Sequence, residues 1–159
     1  MKIAIWMVVV GLLFSACDWL DRAMASNELA ECPDLLKQDL LTPHDEAIRT
    51  FHTLDLGDQF QVVICGSQYV HPPVLEFESA FAGGGERVAE FLVAQLASGV
   101  DDLTFRDVVN VFSRMQRQGT YDVGTEKLFL QWLEARGEAM TNNGWREYAI
   151  EVIHELQRE

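Results

Sequence analysis

Basic residues are scarce in this 159-residue chain: 12 Lys and Arg stand against 25 Asp and Glu, for a formal charge of −13. Such a surface repels polyanions, which disfavours nucleic acid and anionic lipid headgroups as partners. Cysteine is limited to Cys17, Cys32 and Cys65, and none has a second Cys or His at ligand spacing, which argues against a zinc site. The four histidines, His44, His52, His71 and His154, form no His-x-x-x-His pair, and none sits beside a Ser or Cys in a nucleophile motif. Gly83-Gly84-Gly85 lacks the Lys-Ser/Thr that completes a phosphate-binding loop. These gaps leave no catalytic residue, metal ligand or cofactor to assign. Also missing is an apolar run of about 20 residues, the length a permanent membrane helix requires.

The apolar run that is present, Ile3 to Phe14, follows Lys2 and ends in the small residues Ser15 and Ala16, a secretory signal layout. The segment Leu13-Phe14-Ser15-Ala16-Cys17 resembles the lipobox of bacterial lipoproteins, with Phe14 where Leu is usual. That resemblance implies cleavage of residues 1–16 and acylation of Cys17. One acyl chain binds a membrane only marginally, at about 0.8 kcal/mol per buried CH₂, so stable anchoring implies a diacylated or triacylated Cys17. Asp18 looks like the signal that holds lipoproteins in the inner membrane of enteric bacteria, with the outer membrane as the alternative. The globular part is then expected at the periplasmic face. Cleavage removes Lys2 and no acid, so the mature chain is more acidic still.

In an exported protein Cys32 and Cys65 read as one disulfide. It would close a loop of about 30 residues and contribute roughly 3 to 4 kcal/mol by restricting the unfolded chain. Two buried thiols are the alternative.

Residues 17–41 read as a lipidated tether that leads into a short helix near Asp34 to Leu40, and residues 42–159 as a single helical domain. Thr42-Pro43-His44-Asp45 starts a helix, with Ala47, Ile48, Phe51 and Leu54 at helical spacing. Gln59 to Cys65 favours strand by its Val-Val-Ile core, yet no second strand exists to pair with it, so helix is expected. Pro72-Pro73 opens a short helix that ends at Gly83. Glu86 opens the next, which stops at Gly99. Thr104-Phe105-Arg106-Asp107 resembles a capping box for a helix that ends at Gly119. Thr125 is expected to cap another helix. After Asn142-Asn143-Gly144, the stripe Trp145, Tyr148, Ala149, Val152, Ile153 and Leu156 is the most regular in the chain.

Short, one-sided helices in succession need neighbours, and antiparallel pairs stacked side by side supply them. The arrangement resembles HEAT-type helical repeats. Glu86-Arg87-Val88 against Glu126-Lys127-Leu128 supplies a 40-residue offset close to that period of about 40 to 47 residues. An irregular all-α bundle is the alternative.

Asp101-Asp102 fits capping, and Glu76 and Glu78 fit solvated helix faces better than an acid-base pair. Phe91, Phe105, Phe112, Phe129, Trp132, Trp145 and Tyr148 fall on apolar stripes and are expected in the core. Tyr69 and His71, in Tyr69-Val70-His71-Pro72-Pro73, and Tyr121, in the loop after Gly119, are the recognition candidates. Acidity of this size serves solubility, and it also suits a basic protein partner. The functional expectation is a membrane-anchored, non-enzymatic interaction module. An immunity lipoprotein against an exported toxin is one form of it, and an envelope hydrolase built from dispersed His and acidic residues is the reading from another class. Intact mass of the membrane-extracted protein is expected to show a chain starting at Cys17 with two or three acyl groups. A start at any other residue contradicts lipidation.

Overall fold

Seven α-helices and one 3₁₀ turn make up the regular structure among the described residues, 44–69 and 74–158 of a computed structural model. They are α1 (His44–Phe51), α2 (Leu56–Gln68), α3 (Leu75–Ala82), α4 (Glu86–Ser98), α5 (Asp102–Gln118), the 3₁₀ turn (Val123–Thr125), α6 (Lys127–Glu138) and α7 (Asn143–Leu156). The all-α fold expected from the periodicity is the one observed. No helix among these residues is long and apolar enough to cross a membrane.

The segment with the strongest strand propensity is helical. Val62, Val63 and Ile64 lie inside α2 and are all buried. Tertiary packing outweighs the modest helix penalty of β-branched residues. Asp55 starts this helix by accepting the Asp58 backbone N–H at 2.9 Å.

Two expected caps are corrected. Thr104 does not open α5. Asp101 does, accepting the Leu103 and Thr104 backbone N–H groups and the Thr104 hydroxyl, at 2.8, 3.0 and 2.7 Å. A carboxylate outcompetes a hydroxyl for the positive end of the helix. Thr125 does not cap α6 either. It closes the 3₁₀ turn by donating to the Asp122 carbonyl at 2.9 Å, and α6 begins after Glu126 without a side-chain cap.

The helices pair as α2/α3, α4/α5 and α6/α7, and the second members α3, α5 and α7 stack side by side. They run parallel. Glu78, Ser79 and Ala82 of α3 meet Arg114, Gln118 and Thr120, in that order along α5 and its exit. Arg106 and Asn110 of α5 likewise meet Trp145 and Tyr148 of α7, and Gln116 reaches the Leu156 carbonyl. Side-chain hydrogen bonds between successive pairs join residues 34 to 40 apart. That spacing is close to the 40-residue offset between Glu86-Arg87-Val88 and Glu126-Lys127-Leu128.

Helix α5 is the centre, packed against α2, α3, α4 and α7. Phe105, Val108, Val109, Val111, Phe112 and Met115 are completely buried on it. On one side Phe51, Phe60, Phe77, Phe81 and Phe91 form a ring cluster with centroids 5.2 to 6.5 Å apart, joining α1 to α4. On the other, Phe112 meets Phe129 edge-on at 5.3 Å. The glycine run is a packing device. Gly85 has φ +57°, and a Cβ on it would lie 2.9 Å from the Thr120 carbonyl oxygen, so only glycine lets the loop after α5 approach the start of α4.

Asp102 ties α5 to the last pair. It accepts from the Thr141 backbone N–H (2.7 Å), the Thr141 hydroxyl (2.8 Å) and the Arg136 guanidinium (3.0 Å). Burial opposes its charge, but those donors outweigh burial and hold the carboxyl below its ordinary 3.8. Asp102→Ala is expected to cost about 2 kcal/mol at neutral pH. Because the folded-state carboxyl titrates below its unfolded value, this stability is complete above about pH 5 and is lost as the pH falls through the folded value. Urea midpoints of wild type and variant across that range check it. A gap that does not shrink in acid contradicts it.

Candidate functional site

The polar residues of α5 divide between its two flanks. On the α2/α3 side Asp107 accepts from the Gln68 amide at 2.8 Å, and Arg114 donates to Glu78 at 3.1 Å. Arg106 binds the Asp107 carboxylate through Nε at 2.8 Å and through Nη2 as well. Arg106, Asp107 and Glu78 are all more than nine-tenths buried. Burial pushes the Asp107 carboxyl above its ordinary value. Gln68 and Arg106 favour its charge, and neighbouring Glu78 opposes it.

A carboxyl raised in this way marks catalytic sites and structural ion-pair networks alike. Here the two acids spend their hydrogen bonds on Gln68, Arg106 and Arg114, closed off from solvent, and so join α2, α3 and α5. Glu78 is corrected on this account: it is no solvated face residue. Sequence could not show this, because Arg114 lies 36 residues away.

On the α7 side the same Arg106 lies over the Trp145 ring, 4.2 Å from its centroid. Asn110, one turn on, accepts the Tyr148 hydroxyl at 2.9 Å. Trp145 and Tyr148 are nevertheless 41% and 42% exposed, and so is Trp132, at 42%. The expectation that these three rings lie in the core is overturned, and Phe91 and Phe129 are only half-buried. The remaining two, Phe105 and Phe112, are completely buried. Residues 149, 152, 153 and 156 form the buried centre of the α7 stripe, and Trp145 and Tyr148 lie at its margin. A stripe read from sequence shows the apolar side of a helix without showing where contact stops.

Of the three recognition candidates, Tyr69 ends α2 next to Gln68 and is 39% exposed. It therefore lies at the Arg106–Asp107 end of the stack. Tyr121 follows α5 at the opposite edge, half-buried, so the structure does not bring Tyr69 and Tyr121 together. His71 falls outside the described residues, as do Cys17 and Cys32. Cys65 is buried in α2.

His154 sits 3.2 Å from Glu134 across the α6/α7 pair, and Gln157 donates to the same carboxylate at 3.3 Å. His52 meets Phe51 edge-on. Among the described residues no three His, Cys, Asp or Glu side chains converge on a point that would hold a metal ion.

Two clefts open at the carboxyl ends of α5 and α7. One, of about 320 Å³, is lined by Ser113, Arg117, Glu155, Leu156 and Arg158. Its arginines complement the negative ends of two parallel helices. The other, of about 280 Å³, is lined by Gln116, Gly119, Tyr121 and Asp122. No family model matches this chain, and no curated protein or solved structure matches it. Function is therefore argued from the surface.

Asp107→Ala is expected to cost about 3 kcal/mol, because it removes the acceptor shared by Gln68 and Arg106 and leaves their buried donors without a partner. A folded-state carboxyl raised above its unfolded value contributes stability that is present in acid and is lost as pH rises through the folded value. The gap between wild type and Asp107→Ala should therefore narrow as the pH rises through the folded-state value, opposite to the Asp102 variant. A gap that widens with pH, read from urea melts, contradicts the placement of Asp107.

Proposed function

We propose that this chain is a lipid-anchored periplasmic interaction module that holds a protein partner and performs no chemistry of its own. The observation that carries the reading is the pair Trp145 and Tyr148, exposed yet fixed in place by Arg106 and Asn110. Aromatic side chains dominate interface energetics, and rings already held in one orientation lose little entropy on binding. Arg106 belongs to the buried network of α5, and Asn110 lies one turn further along the same helix.

A basic partner suits the charge. Glu151 and Glu155 follow Tyr148 at helical spacing and are exposed, in a chain of formal charge −13. The membrane address rests on the lipobox ending at Cys17, with Asp18 favouring the inner membrane. A Cys32–Cys65 disulfide belongs to the same proposal and is supported by export into an oxidising compartment.

Capture of partners from solubilised membranes with intact lipidated protein tests the reading. The double variant Trp145→Ala/Tyr148→Ala should recover at least about tenfold less of any partner retained by wild type, the scale of two aromatic anchors. Tyr148→Phe, which keeps the ring but loses its tie to Asn110, should recover an intermediate amount. Circular dichroism confirms that each variant is folded. Equal recovery by wild type and a folded double variant overturns the proposal.

A further inference from the structure

The carboxyl ends of α5 and α7 bound the cleft of about 320 Å³, and each contributes one arginine to its wall. Ser113 and Arg117 stand one turn apart on α5 and so share a face of that helix. Glu155 lies in the last turn of α7 and Arg158 just beyond it, with Leu156 buried beside Glu155. Arg117, Glu155 and Arg158 are exposed, whereas Ser113 is only 4% exposed.

Neither arginine of the cleft is engaged. Among the described residues the side-chain hydrogen bonds and ion pairs of arginine belong to Arg106, Arg114 and Arg136. The carbonyls at these helix ends take other donors. Met115 and Gln116 accept the Thr120 and Gly119 backbone N–H groups, Ile153 and Glu155 accept those of Gln157 and Arg158, and Leu156 accepts the Gln116 amide. Glu155 lines the same cleft yet pairs with neither guanidinium. The Ser113 hydroxyl also lacks a hydrogen-bond partner among the described residues, where Gln116 Oε1 is the one side-chain polar atom both sealed from solvent and unpartnered. The Ser113 hydroxyl therefore keeps a contact with solvent, and the cleft is where Ser113 meets it.

We propose that this cleft binds the zwitterionic head of a free α-amino acid, its carboxylate held by Arg117, Arg158 and the Ser113 hydroxyl and its ammonium by Glu155. Two guanidinium forks and a hydroxyl suit a carboxylate, which accepts several donors at once. A ligand bearing only negative charge would meet Glu155 and the negative ends of two parallel helices. Those same features favour an ammonium, so the cleft matches a head group of both signs. Its volume lies at the small end of ligand clefts, which suits a molecule of this size. The cleft lies about 15 Å along α7 from Trp145. It uses neither aromatic ring of the proposed protein-binding surface, so each can hold without the other.

The test uses the full chain, ¹⁵N-labelled in uncharged detergent micelles at mildly acidic pH, titrated with L-alanine in a buffer free of carboxylate and phosphate. The Arg117 and Arg158 Nε–H signals report binding. Saturable shifts of both are expected. Affinity should be about tenfold weaker for N-acetyl-L-alanine, which lacks the ammonium, and for L-alaninamide, which lacks the carboxylate, the scale of one hydrogen bond to a charged group. Arg117→Gln and Arg158→Gln alter exposed side chains with no partner among the described residues, so each leaves the fold intact and should weaken binding about tenfold. Ser113→Ala removes only the hydroxyl and should weaken it about threefold. Circular dichroism confirms that each variant is folded. Shifts that do not saturate, or affinity unchanged in either arginine variant, overturn the site. Equal affinity for either derivative overturns the assignment to a zwitterion, and unchanged affinity in Ser113→Ala overturns the place of its hydroxyl.

Discussion

Helix α5 has neighbours along most of its length, and its two adjacent buried charges have to satisfy each other. Arg106 and Asp107 do so directly. Water cannot replace either contact, since both residues are more than nine-tenths buried. An unpaired charge in that position would cost several kcal/mol, so the pair constrains which helices approach α5 and in what order. Gln68 completes Asp107 from α2, and Trp145 completes Arg106 from α7. One ion pair thus touches all three helical pairs, and the Glu78–Arg114 contact repeats the arrangement about two turns further along α5.

The surface follows from that interior. Trp145 is open to solvent, yet it is held because the guanidinium beneath it is already committed to Asp107. Tyr148 is held because Asn110, one turn along α5, is within reach of its hydroxyl. At the other edge the parallel course of α3, α5 and α7 sets the loop after α5 against the turn before α4, where the Thr120 hydroxyl donates to the Ala82 carbonyl. Both edges therefore descend from one packing rule, the parallel stacking of every second helix.

Helices were the legible part of the sequence. Period, glycine punctuation and proline positions locate α3, α4, α5 and α7 to within a few residues, because these signals are local. Start points were less legible where polar residues have competing partners: Asp101 displaced Thr104 as the cap of α5, and before α6 the Thr125 hydroxyl is spent on the 3₁₀ turn. The stacking of successive helical pairs showed only as one 40-residue offset, since stacking asks for volume and polarity at a position rather than identity. The recognition surface was barely legible. Tyr69 and Tyr121 stood out because they lie outside helical stripes. Trp145, Tyr148 and Trp132 lie within stripes, and their exposure depends on where the neighbouring helix ends.

Amide hydrogen exchange across the described helices tests most directly whether α5 and its buried pair hold the rest together. The α5 amides from Phe105 to Met115 are expected to exchange most slowly, only through global unfolding, with α1 and the loop at Tyr121 exchanging first. Asp107→Ala is expected to speed exchange in α2 and α7 together. Protection that is greatest in α6 and α7, with α5 exchanging earlier, would contradict it.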